Sequence, residues 1–518
     1  MTTRKNIENT LWKACDSFRG KIDSSRYKDY ILSMLFVKYL SDLNKERRSD
    51  YARQYSGDQK RIDRAMSRES FVLDETSTFD YLYENRIDTQ IGQKINVALS
   101  AIEERNGTKL RNVFRAIDFN STVDLGEPRE KNAVLKNLLE DFNGLDLSPS
   151  MLDSADIIGD SYEYMIANFA SDAGKKGGEF FTPSRVSELV AKLVQPREND
   201  RIYDATCGSG GLLLKACREA DTRRVAVYGQ ERNAQTWALC KMNMFLHNIP
   251  DATIWQGDTL ANPQNIADDK LMKFQVVVAN PPFSLDKWDS GFLPDEKTKM
   301  SAGLDPWKRF DWGIPPVSKG DYAFVCHMLH CLDDSTGRMG IVLPHGVLFR
   351  GAQEGKIRRT IVENFNLLDA VIGLPANLFF GAGIPACILV FKKNRPNRNI
   401  FFIDASGEGN YEKGKNQNIL REQDVEKIVA TYRARAVVDK YSYEASFDEI
   451  KENDFNLNIP RYVDTFEEEP EVDIAAVRAE IAGIETELAE VQAQMAKYLT
   501  ELGIFASDST ERQHTAKI

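Results

Sequence analysis

The spacing of apolar residues divides the chain into three textures. Across 1–155, apolar side chains recur at helical intervals. In YKDYILSMLFVKYLSDL (Tyr27–Leu43) they recur in threes and fours while Lys and Asp interrupt any strand alternation, which predicts a helix. KNAVLKNLLEDFNGLDL behaves alike, and charged, glycine-poor stretches such as NKERRSDYARQYSGDQKR are expected to join such helices. This part carries no catalytic pattern of its own.

From about Asp156, short β-rich runs alternate with helical segments: RIYDA, RVAVYGQE, ATIWQGD, FQVVVANPP, RMGIVLP, LLDAVIGLP and ACILVFKK. Strands separated by helices predict βαβ units and a mostly parallel sheet buried on both faces. Ligands of such sheets bind beyond the carboxyl ends of the strands. Polar residues stand at those ends here (Asp204, Glu231, Asp258 and Asn280), so four strand tips are expected to line one crevice. After the acidic DTFEEEPEVD the texture changes again. Ile474, Val477, Ile481, Ile484, Leu488, Val491, Met495, Tyr498 and Leu502 follow steps of three and four, a coiled-coil seam. One helix cannot bury that seam alone. It either folds back on its own domain or meets a helix of another chain. The expected organisation is a helical domain over 1–155, an α/β domain over 156–467, and a heptad helix with its tail over 468–518.

Composition adds limits. The chain has 518 residues, 42% hydrophobic and 28% charged, an ordinary globular profile. No apolar run approaches the length of a membrane span. The charged start, MTTRKNIENTLWKACDSFRGK, is not expected to act as a secretory leader. Seven irregularly spaced cysteines suggest reduced thiols and a cytoplasmic location. The net charge of −11 matters more: bulk attraction does not favour nucleic acid, so any grip on DNA must come from local basic clusters or a partner.

Candidate chemistry gathers at the strand tips. YDATCGSGGLLLKAC follows a strand and opens a helix, and its turn, Gly208-Ser209-Gly210-Gly211, offers backbone N–H groups and close approach to a ligand. A dinucleotide fingerprint is not completed, because Leu213 takes the position of its last glycine. Asp204 precedes the glycines, where a carboxylate can meet an ammonium group. Glu231 is placed to accept from ribose hydroxyls and Asp258 from an adenine amino group. Such a set suits a zwitterionic nucleoside such as S-adenosylmethionine. One strand further on stands Asn280-Pro281-Pro282-Phe283, where two prolines end sheet pairing. The Asn280 side-chain oxygen and the Pro281 carbonyl can accept both hydrogens of an aromatic amine and draw its nitrogen towards tetrahedral geometry. Phe283 can stack on a base flipped out of a duplex. These residues leave open which amino nitrogen is methylated; guanine N2 and a glutamine amide are alternatives.

Three motifs together carry a resemblance: Gly178-Glu179-Phe180-Phe181-Thr182-Pro183, then Asp204-Ala205-Thr206-Cys207-Gly208-Ser209-Gly210-Gly211, then Asn280-Pro281-Pro282-Phe283. In this order they resemble the amino-N-methyltransferases, and more closely the DNA-adenine methylation subunit of type I restriction–modification systems. The likeness spans nearly the whole chain and departs at Ala205, where many relatives carry proline. It implies a Rossmann-like α/β, S-adenosylmethionine-dependent methyltransferase sheet with an N-terminal helical domain and a C-terminal coiled-coil helix. It further implies contact with S-adenosylmethionine by Glu179, Phe180, Phe181, Thr182, Pro183 and Ser184, by Ser209 to Gly211, and by Glu231. The implied partners are double-stranded DNA, a specificity subunit docked on the C-terminal helix with two methylation subunits to each, and a restriction (motor–nuclease) subunit.

Other features have plainer readings. GNYEKGKN ends on Asn416 where a phosphate loop needs a hydroxyl, so a polar turn is expected. CHMLHC (Cys326–Cys331) offers two thiols and two imidazoles, but its two i, i+4 pairs point in different directions; the surrounding DYAFVCHMLHCL reads as an amphipathic helix rather than a zinc site, and no metal is expected. Lys392, Lys393, Arg395 and Arg398, and Arg350, Lys356, Arg358 and Arg359, form basic faces; Arg350 is the strongest candidate among them for a DNA phosphate. GLPANLFFGAGIPAC is expected to border the target base. No complete ATPase loop, helicase set or nuclease site is found, so cleavage and translocation are expected of another polypeptide. A non-catalytic scaffold is the alternative of another class, and the intact Asn280, Asp204 and Glu231 speak against it.

Overall fold

The computed structural model describes residues 1–20, 22, 24–173, 181–220, 224–292, 305–379, 383–415, 417–465 and 474–502. Helix α1 (Arg4–Phe18) starts on Thr3. The Thr3 hydroxyl accepts from the Asn6 N–H, and the Asn6 side chain accepts from the Thr3 N–H. Ile7, Leu11, Ala14, Cys15 and Phe18 form its buried face. Helix α2 (Ser24–Gln54) contains the predicted Tyr27–Leu43 segment but runs on through NKERRSDYARQ, which was expected to be a connection. Lys, Glu and Arg favour helix and nothing there stops it. The middle of α2 is buried on nearly all sides, with Ile31, Leu32, Met34, Leu35, Phe36 and Val37 in the core. Lys38 and Asp42, buried one turn apart, pair at 2.6 Å. Asp42 also accepts from the Leu147 N–H, so the pair is satisfied by the surrounding fold.

Helix α3 (Pro128–Asn143) packs on α1, and α4 (Ile157–Ala173) packs on α1 and α2. Next in the chain come α5 (Ser184–Val194), α6 (Gly211–Glu219), α7 (Ala234–Leu246) and α8 (Asp321–His330). The Tyr162 hydroxyl of α4 donates to the Leu239 carbonyl of α7 at 3.3 Å.

Among the described residues nine strands form the main sheet. They are β1 (Arg201–Asp204), β2 (Ala226–Glu231), β3 (Thr253–Gln256), β4 (Val276–Ala279) and β5 (Arg338–Pro344). Then follow β6 (Leu368–Gly373), β7 (Ala386–Lys392), β8 (Ile400–Asp404) and β9 (Ser442–Ala445). Their spatial order is β9-β8-β6-β7-β5-β4-β1-β2-β3. Neighbours are parallel, except that β7 runs antiparallel to β5 and β6, and β9 antiparallel to β8. Alternation along β4 sends Val276 and Val278 to one core and Val277 and Ala279 to the other. The first core is continuous with the helical N-terminal part; Ile7, Phe36 and Val278 belong to the same cluster. Met1–Thr465 accordingly form one compact unit. Because β1 lies between β4 and β2, the strand order reverses there, which opens a crevice beyond the carboxyl ends of β1, β2 and β4.

Phe466–Ile518 form the second unit. Its described part is helix α9 (Ile474–Glu501), which exposes the whole apolar seam; Leu488 is 54% exposed. No helix among the described residues is long and apolar enough to cross a membrane.

Candidate active site

Strand β4 ends at Ala279, and Asn280 stands just beyond it. Its Nδ2 donates to Thr182 Oγ1 at 2.8 Å. Its Oδ1 is buried and has no hydrogen-bond partner. An orphaned buried acceptor costs about 1–3 kcal/mol and calls for a physical reason, which a ligand donor would supply. Thr182 precedes Pro183, the residue that caps α5. α5 packs tightly on β5 at Gly340, where a Cβ would stand 2.9 Å from Cγ1 of both Val190 and Val194. Helix-on-sheet packing thus sets a contact between residues 98 positions apart. Pro281 is buried beside it, Pro282 lines the adjoining cavity, and Phe283 meets Phe379 edge-on at 5.7 Å and 73°.

That cavity has a volume of about 950 Å³. The glycine turn forms part of its wall. Gly208 (φ +53°) and Gly210 (φ +87°) both adopt left-handed backbone. A Cβ on Gly210 would stand 2.5 Å from Met244 Cε and 2.9 Å from Cys240 Sγ, so only glycine lets α7 come this close. A Cβ on Gly208 would meet open space. Glu231 ties the turn to β2, accepting from the Gly208 N–H at 3.0 Å and the Asn233 N–H at 2.8 Å. Asp258 Oδ1 accepts from the Leu260 and Ala261 N–H groups at 2.9 and 3.1 Å, and its Oδ2 lies 3.5 Å from Arg232. Each acid therefore already holds a loop.

Asp204 is buried at the end of β1 and accepts from the Thr206 N–H at 2.9 Å. Burial raises its pKa to about 8, with the nearby Glu231 charge adding to the rise. Thr206 Oγ1 is buried without a partner and lines the cavity. The residues present fit a zwitterionic nucleoside: a buried carboxylate that an ammonium group would stabilise, unfilled acceptors, and open space over Gly208.

The structure brings most of the expected residues together. Phe181, Gly208, Ser209, Glu231, Asp258 and Asn280 line the cavity with Pro282. Thr182, Asp204, Gly210, Gly211, Pro281 and Phe283 support that wall from behind or beside it, and Pro183 and Ser184 start α5. Glu179 and Phe180 lie outside the described residues. The sequence reading missed a second wall. Asp29, Tyr30, Ile117 and Phe169 line the same cavity from the helical part, with Arg26 and Asp124, which pair with each other. Locally these residues read as ordinary helix and loop positions, and only tertiary packing brings them here.

Several other side chains are committed within the fold. Arg350 donates to Asp321 at 2.9 Å and Glu354 at 3.1 Å, so the strongest phosphate candidate has its charge neutralised internally. Arg358 is buried and donates to the carbonyls of Phe455, Val347 and Arg350. Arg395 pairs with Asp369, and Lys393 with Asp334. His327 is fully buried between Tyr203 and Arg309, each 3.1 Å from a ring nitrogen, and burial beside Arg309 lowers its pKa, leaving it neutral. Asp160, Glu163 and His247 gather, but Arg218 and Lys215 already stand on the two acids.

Fold and cavity together define an α/β methyltransferase-like sheet preceded by a helical region. A family model described as N-6 DNA methylase matches residues 153–471, and one described as HsdM N-terminal domain matches 7–142. The type I restriction enzyme MpnII methylase subunit of Mycoplasma pneumoniae is 33% identical, covering 92% of this chain and 93% of its own. The HindI methylase subunit of Haemophilus influenzae is 32% identical, covering 73% and 84%. A crystal structure of the type I restriction–modification system methyltransferase subunit from Streptococcus thermophilus superposes with a TM-score of 0.77 at 35% identity, covering 89% of this chain and 100% of that one. The chain belongs to the N-6 DNA methylase family, as a methylation subunit of a type I restriction–modification system acting on DNA.

Proposed function

We propose that this subunit methylates the N6 nitrogen of adenine, flipped from double-stranded DNA, with the Asn280-Pro281-Pro282-Phe283 tip as its acceptor site. The observation that carries this reading is the buried, unpartnered Oδ1 of Asn280. An adenine N6 lone pair is delocalised into the ring. Acceptors on its two hydrogens favour the tetrahedral nitrogen that can attack carbon. Asn280 Oδ1 is one acceptor and the Pro281 carbonyl the other, held by a backbone that proline stiffens. Phe283, braced by Phe379, stacks on the base. When bound, S-adenosylmethionine supplies an electrophilic sulfonium methyl group.

In this reading Asp204 would answer its ammonium, Glu231 its ribose and Asp258 its adenine, with the turn from Gly208 to Gly211 and Phe181 completing the cradle. Catalysis then rests on positioning, without a strong base. The exposed apolar seam of α9 supports docking of that helix on another chain, and we take that chain to be a specificity subunit that binds it as a coiled coil and is shared by two methylation subunits. A restriction subunit would supply cleavage, and the net charge of −11 fits a chain whose grip on DNA is shared with a partner.

The test is single-turnover transfer by the assembled methylase. Asn280→Ala is expected to slow it roughly a hundredfold or more while leaving cofactor affinity nearly intact. Unchanged turnover would remove Asn280 from the reaction.

A further inference from the structure

An asparagine amide has two nearly isosteric ends, and only one of them can serve the proposed reaction. With Oδ1 towards the target amine it accepts a hydrogen; turned by half a rotation it presents a donor to a donor. Something must select the orientation, and the strand tip alone does not. We propose that Thr182 is the positioning residue that selects it, acting through the Asn280 side chain rather than on the cofactor; this rests on the acceptor role proposed above for Asn280.

Three observations support the assignment. First, Thr182 Oγ1 stands 2.8 Å from Asn280 Nδ2, and Oδ1 is the atom left buried and unpartnered. Second, a hydroxyl can also donate, so selection depends on what each orientation leaves unpaired. In the observed orientation one carbonyl oxygen and one N–H hydrogen are orphaned. In the flipped one, two N–H hydrogens would be, and orphaned buried donors are rarer than under-satisfied carbonyls. Third, Thr182 is rigidly placed. It sits immediately before the Pro183 cap of α5, and α5 is pressed on β5 at Gly340. The height of α5 over the sheet therefore sets the distance from hydroxyl to amide.

The test uses the full chain assembled with its partner subunits on DNA, with single-turnover rates and calorimetric affinity for S-adenosylmethionine measured in parallel. Thr182→Val keeps the branched shape and removes the oxygen. It is expected to slow transfer roughly tenfold or more and to leave cofactor affinity unchanged. Thr182→Ser keeps the oxygen and is expected to restore the rate to within about threefold. In an Asn280→Ala background, Thr182→Val should have no further effect, because the group it orients is gone.

Thr182→Val transferring at the wild-type rate would overturn the proposal. So would weakened cofactor affinity with an unchanged rate, which would make Thr182 a cofactor contact, or an effect fully additive with Asn280→Ala. Unchanged turnover in Asn280→Ala alone would instead overturn the underlying acceptor role. A slow Asn280→Ala with a fast Thr182→Val would overturn only the present inference.

Discussion

Asp204, buried at the end of β1, has its charge balance shifted by its surroundings. Folding moves its pKa from the ordinary 3.8 to about 8. Between those values the folded chain holds a proton that the unfolded chain has lost. The contribution of this group to stability is therefore greatest below about pH 4 and declines as pH rises towards 8. An ammonium group beside it would favour the carboxylate. Cofactor binding at pH 7 is thus expected to release about one proton, read by calorimetry in two buffers of different ionisation enthalpy. Binding with no proton release would place the ammonium elsewhere. At this scale the sequence was informative about position, as for Asn280, which stands as expected just beyond a buried strand and before two prolines. It was silent wherever role depends on a distant partner. The Thr182 contact with the Asn280 amide, 98 residues away, could not be read locally. Arg350 read as a free cation and proves to be paired with Asp321 and Glu354.

Among the elements, the glycine turn joins β1 to α6, and its two left-handed glycines differ in what surrounds them. Gly210→Ala places a methyl against Cys240 and Met244 and strains the backbone, so a stability loss of about 1–3 kcal/mol is expected, read as a lowered unfolding midpoint. Gly208→Ala meets no protein atom and should lose less stability and more cofactor affinity. Equal stability losses would mean the two positions are not distinguished by packing. The strands that lead to the site were legible because continuous apolar runs between helices admit few other readings. β8 and β9 were not. IFFID is a short apolar run that was overlooked behind a basic loop, whereas SYEA alternates weakly and pairs at the sheet edge, so it carries no buried-strand signature of its own. The length of α2 was underestimated for the opposite reason, since a charged run reads as a linker until it is seen to continue a helix.

Across the whole molecule, the helical region and the sheet share one core over Met1–Thr465, so the cavity has walls from both. Texture along the sequence marked where pattern changes and did not reveal which faces meet. The helix α9 and its exposed apolar stripe were legible, because a periodic repeat is a one-dimensional signal.

The account as a whole holds that this subunit, assembled with its partners, places a methyl group on an amino nitrogen of a DNA base, and that the base is adenine. The most direct measurement is incubation of the assembled complex with DNA and methyl-labelled S-adenosylmethionine, followed by digestion and identification of the labelled product. The expected product is N6-methyladenine, with none when the chain carries Asn280→Ala. Label on cytosine, on guanine or on a protein glutamine, with adenine unmodified, would contradict it.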